Sequence, residues 1–136
     1  MFRIFPIQEE SVHKRYAEAC GAEYRSGWFA FGMMDAESGQ IMGMSQFEIG
    51  EGAACISDLR AKIGTEDVEA MFILGRSTMS FIESVSVTDC YALPDAAEGK
   101  LLTMIGFRPK EGKDLLFCDL TGMFNGHCSG HAVELK

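Results

Sequence analysis

Residues 101–120 read LLTMIGFRPKEGKDLLFCDL. The aliphatic positions Leu101, Leu102 and Ile105 stop at Gly106-Phe107, a polar stretch containing Gly112 follows, and Leu115–Leu120 is again apolar. Glycine accepts the left-handed conformation that ends helices, and two runs around a glycine-containing loop pair as a hairpin. The stretch therefore predicts a short helix over 95–104, then Phe107–Lys110 paired with Leu115–Leu120. Gly99 weakens that helix by about 1 kcal/mol relative to alanine.

Upstream, Val68, Met71, Phe72, Gly75, Met79 and Ile82 fall on one face of a helix over 66–82. Thr65 is placed to cap it, with Glu66 and Asp67 in the first turn, where negative charge suits the helix dipole. Ser84–Leu93, with Val85, Val87 and Thr88, reads as a strand between the two helices. Before the long helix lie three strand-like runs: Trp28–Met34, Ile41–Ile49 and Cys55–Leu59. The loop Asp35-Ala36-Glu37-Ser38-Gly39 makes the first two a hairpin. Phe2–Ile7 is a first strand, and Val12, Tyr16, Ala17 and Cys20 mark a short amphipathic helix stopped by Gly21. The order is β-α-β-β-β-α-β-α-β-β, an α/β (α+β) layout.

Composition sets the outer bounds. The 136 residues suit one domain, read here as 1–121 with a C-terminal tail over 122–136. An apolar fraction of 47%, with 10 Phe and 9 Met, is that of a globular chain. The net charge of −8 excludes nucleic acid as a natural partner, because phosphate neutralisation needs clustered Lys and Arg. No apolar run approaches the roughly 18 residues of a membrane span, so no membrane partner is expected. The N-terminus turns acidic too early for a secretory signal. Cys20, Cys55, Cys90, Cys118 and Cys128 form no CxxC pair and read as reduced thiols of a cytoplasmic protein. His127, Cys128 and His131, with Cys118 upstream, match no common zinc spacing, so no metal site is expected. The tail carries Met123, Phe124, Ala132, Val133 and Leu135, which suit packing on the domain or on a second copy as a homodimer arm.

The element order, the LLTMIGFRPKEGKDLLFCDL segment and the hairpin ending GQIMGMSQFEI together resemble the GNAT superfamily of N-acetyltransferases over about residues 1–121. The resemblance implies a GNAT-like mixed central sheet of about 6–7 strands with flanking helices. It implies that the fourth and fifth strands are parallel neighbours that splay apart to hold the pantetheine of acetyl-CoA or another acyl-CoA. The loop after the fourth strand would then cradle the pyrophosphate on backbone N–H groups at a helix start. Carried onto this chain, that loop comprises Leu59, Arg60, Ala61, Lys62, Gly64 and Thr65. The implied reaction is acyl transfer to a small amine, with Glu48 or Asp58 deprotonating the ammonium. Read without the family, both are ordinary strand carboxylates.

Two departures from the family pattern stand out. The loop has one glycine where two or three are expected, and Glu66, Asp67 and Glu69 surround the helix start that would face a diphosphate. Leu102 stands where many members carry a tyrosine that protonates the leaving thiolate, and Asp95 stands nearest to the family's asparagine. Cys90 lies on the fifth strand with no histidine near it in sequence, as a core thiol would. Tyr16, Tyr24 and Trp28 read as packing aromatics. Two function classes follow: an acyl-CoA-dependent N-acyltransferase, or a non-catalytic relative that binds another small ligand or a protein.

Overall fold

The computed structural model describes residues 1–124. The elements are β1 (Phe2–Pro6), α1 (Glu10–Cys20), β2 (Phe29–Asp35), β3 (Ile41–Ile49), β4 (Ala53–Ala61), α2 (Val68–Ser84), β5 (Asp89–Ala92), α3 (Leu101–Ile105), β6 (Arg108–Pro109) and β7 (Leu116–Asp119). This is the expected order. The strands form one mixed sheet, ordered β1-β2-β3-β4-β5-β7-β6. Only β4 and β5 are parallel, joined by α2 as a crossover needs.

Local chemistry explains the elements. Asp35 closes the β2–β3 turn by accepting the N–H groups of Glu37 (2.8 Å) and Ser38 (3.2 Å) on Oδ1. Tyr16, Ala17 and Cys20 bury one face of α1 against the sheet, and Gly21 ends the helix with φ 72°. On the opposite face α2 buries Met71, Leu74, Met79 and Ile82, and Phe81 packs with Phe29, Phe31 and Phe47. Thr78 donates to the carbonyl of Leu74 and so accepts from buried Ser45, at 2.7 Å. That bond fixes α2 on β3.

Several boundaries move from their expected places; β4, for one, runs Ala53–Ala61, two residues beyond Cys55–Leu59 at each end. The cap of α2 is Asp67, whose Oδ1 accepts from Ala70 N–H at 3.0 Å, while Thr65 turns back to donate to the carbonyl of Lys62. Helix α2 continues to Ser84 because buried Ile82 extends its apolar face, and the chain then turns through Ser86 at φ 70°. The fifth strand therefore starts only at Asp89. The last helix shrinks to Leu101–Ile105, because the preceding residues hydrogen-bond to β4 and Gly99 adopts φ 64°.

Strand β4 carries a bulge. Gln46 faces Asp58 and Phe47 faces Ile56, so Ser57 is the extra residue. A bulge bends its strand and resets the side-chain alternation, so Ser57 and Asp58 both point to the α1 side. Pairing of β4 with β5 stops at Ile56↔Ala92, and β4 runs on to Ala61 without a β5 neighbour. β5 itself ends there, and residues 93–96 continue beside β4 through two backbone hydrogen bonds.

Met123 and Phe124 pack on the periphery of the core. Residues 125–136, including His127, Cys128, His131, Ala132, Val133 and Leu135, lie outside the described residues.

Gly75 lets α2 approach β4 and α3. A Cβ there would lie 2.6 Å from Ile105 Cδ1 and 2.9 Å from Leu59 Cδ2. Overpacking of this kind costs about 1–3 kcal/mol, against a helix-propensity gain of about 1 kcal/mol for alanine. Gly75→Ala should therefore lower stability by about 1 kcal/mol net, read as a reduced urea midpoint. A raised midpoint would show that Ile105 and Leu59 move aside freely.

Candidate functional site

The bulge creates a buried polar cluster. Asp58 Oδ2 accepts from Ser57 Oγ (2.7 Å) and Gln46 Nε2 (2.9 Å), and Oδ1 accepts from Arg60 Nε (2.7 Å). Gln46 Nε2 also donates to the carbonyl of Glu23, and its Oε1 accepts from Arg25 N–H (3.0 Å) and His13 Nε2 (2.8 Å). Because that oxygen can only accept, the His13 hydrogen sits on Nε2. The His13 ring stands edge-on to Tyr24, with centroids 4.7 Å apart. One side chain of β3 thus ties α1, the 21–28 connection and β4 together.

The cleft where β4 leaves β5 is bridged by the chain itself. Leu93 donates its N–H to the carbonyl of Ile56 at 3.0 Å, and the chain turns so that Ala96 N–H meets the carbonyl of Leu93. Leu59 N–H then donates to the carbonyl of Ala96 at 2.7 Å. Arg60 adds a third tie through a bond of 2.8 Å from its guanidinium to the carbonyl of Asp95. Ala96 is fully buried.

Beyond this bridge lies a cavity of about 450 Å³ between the β4–α2 loop and residues 98–104. Cys20, Ala61, Met71 and Leu101 form its apolar wall, and Lys62, Lys100, Glu66, Asp67 and Glu98 lie around it. Ile63, Val68 and Met104 line it while 66%, 55% and 55% exposed. Part of the loop's backbone is tied to the protein. Lys62, Ile63 and Thr65 donate their N–H groups to the carbonyls of Met42, Ala19 and Lys62.

The residues singled out in the sequence separate accordingly. Leu59, Arg60 and Ala61 belong to β4, while Lys62, Gly64 and Thr65 form the loop, and all six line the cavity. Asp58 is buried with both oxygens engaged. Glu48 is exposed, opposite Cys55, and does not line the cavity. Leu102 is buried in the core. Burial pushes the Cys90 thiol well up and the Cys20 thiol up to about 12. Among the described residues, no group of three His, Cys, Asp or Glu converges as a metal site requires. Sequence reasoning missed Gln46, His13 and the 93–97 segment. For Gln46 a signal existed, since it is a polar residue inside the apolar run IMGMSQFEI.

No family model matches the chain, and no curated protein matches it. Solved structures do. A GNAT family N-acetyltransferase from Escherichia coli in complex with CoA superposes with TM-score 0.66 at 14% identity, covering 92% of this chain and 85% of that one. The chain has the GNAT fold. An IAA acetyltransferase from Bacillus cereus gives TM-score 0.66 at 13% identity over 82% of this chain and 79% of that one. PaiA N-acetyltransferase from Thermoplasma acidophilum, also with coenzyme A, gives 0.56 at 11%, over 66% of this chain. This chain spans only 59% of that protein.

The residues present do not fit an acyl-CoA held as the GNAT resemblance implies. A pantetheine between β4 and β5 needs the β4 backbone free, yet Leu59 N–H and the Ile56 carbonyl are paired with residues 93–96. A diphosphate needs loop amides turned outward; those of Lys62, Ile63 and Thr65 are bonded to protein carbonyls, which leaves the amides of Gly64 and residues 66–69 to meet it. At the start of α2 the Asp67 carboxylate already holds Ala70 N–H.

Two measurements probe this site. Gln46→Leu leaves His13, Arg25 N–H, the Glu23 carbonyl and Asp58 each short of a partner, at about 1–3 kcal/mol for each buried group left unsatisfied. A loss of about 3–5 kcal/mol in urea unfolding is expected; a loss under about 1 kcal/mol would mean that water replaces the amide. Alkylation depends on the thiolate, which burial disfavours. At pH 8 iodoacetamide should therefore modify half-buried Cys55 well before Cys20 or Cys90, followed by peptide mass.

Proposed function

We propose that this GNAT-fold protein is a non-catalytic binding protein whose cavity takes a small, partly apolar molecule of low net charge. The observation that carries this reading is the Leu59–Ala96 backbone bond, which fills the gap where an acyl-CoA arm would lie. The chemistry around it agrees. Both Asp58 oxygens are engaged in hydrogen bonds to Ser57, Gln46 and Arg60, and Leu102 has no proton to give. Large exposed apolar side chains concentrate at one place, and such a patch marks a binding surface. Of the seven among the described residues, Ile63, Val68 and Met104 line this cavity. Arg60, Lys62 and Lys100 line it together with Glu66, Asp67 and Glu98, a balance that suits an uncharged or zwitterionic ligand better than a polyanion.

The second reading is acyl-CoA-dependent N-acyl transfer to a small amine. It is favoured by the position of the cavity beside the β4–α2 loop and by the CoA in the solved neighbours. It requires residues 93–97 to leave β4, and a base supplied by Asp58 or exposed Glu48. Either way the thiols support a reducing, cytoplasmic setting. Cys90 and Cys118 are partners across β5 and β7, yet both are free.

Titration of the full chain with acetyl-CoA, leucine and 1-hexanol, followed at the Met71 and Met104 methyl resonances, separates the readings. Leucine or hexanol should shift both methyls saturably, and millimolar acetyl-CoA should leave them in place. Saturable acetyl-CoA binding at micromolar concentration would overturn the proposal and restore the transferase.

A further inference from the structure

We infer that Arg60 is a latch that keeps the β4–β5 cleft shut, and so determines which ligands the cleft can accept. The inference rests on the reading that acyl-CoA does not bind the protein as it stands. A pantetheine amide is chemically a short piece of backbone, with one donor and one acceptor. The Leu93–Ala97 segment offers β4 the same pair, through Leu93 N–H to the Ile56 carbonyl and the Ala96 carbonyl to Leu59 N–H. Exchange of one for the other leaves the number of backbone hydrogen bonds nearly unchanged. What favours the internal segment is then the burial of Ala96 and the side chain that reaches across to it.

That side chain is Arg60. Its Nε donates to Asp58 Oδ1 at 2.7 Å, and a terminal nitrogen donates to the Asp95 carbonyl at 2.8 Å. Its aim is set in turn by Asp58, whose other oxygen is clamped by Ser57 and Gln46. A guanidinium presents donors in a rigid fork and can serve two acceptors at once, whereas an ammonium is a point charge on a flexible stem. Lysine at this position would keep the pairing with Asp58 and lose the reach to Asp95. The segment would then be held by backbone bonds that open locally far more often. Arg60 is a positioning residue here: it acts through residues 93–97 and need not touch the ligand.

Amide hydrogen exchange at Leu59 and Leu93 in the full chain reads the latch directly, with millimolar pantetheine as the probe ligand. In Arg60→Lys both amides should exchange about 3- to 10-fold faster than in the parent, the size expected for loss of one solvent-exposed side-chain hydrogen bond. Pantetheine should restore protection at Leu59 in the variant and leave the parent unaffected. Should Arg60→Lys fail to fold, the double variant D58N/R60Q removes both charges together and leaves no buried carboxylate unpaired, with the same acceleration expected. Leu59 exchange within about twofold of the parent in a folded variant overturns the latch. Equal pantetheine protection in parent and variant overturns it as the determinant of ligand choice. Acetyl-CoA binding by the parent would instead overturn the proposed function, whatever Leu59 does.

Discussion

A buried carboxylate must find partners, and in this protein Asp58 finds them on its own strand and on β3. Ser57 is its neighbour in the bulge, Gln46 reaches it from β3, and Arg60 meets it from further along β4. Taking a charge out of water costs several kcal/mol unless its hydrogen bonds are replaced. The register of β3 on β4, the seat of α1 through His13 and the path of the chain after β5 are therefore coupled. Moving any one of them leaves the others with an unpaired polar atom.

The cluster also explains how a fold associated with cofactor binding can face its cofactor gap inward. In a sheet whose central parallel strands part, the backbone beyond the parting has donors and acceptors without a strand to meet them. Those groups must be satisfied by ligand, water or protein. Here the Leu93–Ala97 turn meets them, and at the start of the β4–α2 loop the amides of Lys62 and Ile63 turn toward the carbonyls of Met42 and Ala19. The fold is the same as that of the solved acetyltransferases, and the difference lies in where the polar groups point.

Much of this architecture could be read from residues alone. The apolar face from Met71 to Ile82, the stop at Gly106-Phe107 and the Asp35 turn are local signals, and each element appears in its expected order. The errors arise where tertiary contacts outweigh local preference. Val85 and Val87 favour a strand, but burial of Ile82 carries the helix on to Ser84. Residues 95–100 hold no helix because their neighbours bond to β4, a pairing across more than thirty positions that no local pattern reports. Thr65 and Asp67 are both capable caps, and only the geometry of the loop chooses Asp67. In the site, the loop residues were legible as a group; the ties of Asp58 were not, because the bulge at Ser57 inverts the side-chain alternation on which a strand reading depends.

The sheet also governs how copies of this protein can meet. Among the described residues its outer strands are β1 and β6, and each carries a proline, Pro6 in one and Pro109 in the other. Proline has no N–H to offer a neighbouring strand, and β6 is only two residues long. Strand-to-strand growth is disfavoured at both borders, a safeguard against fibrous aggregation in a chain rich in Phe and Met.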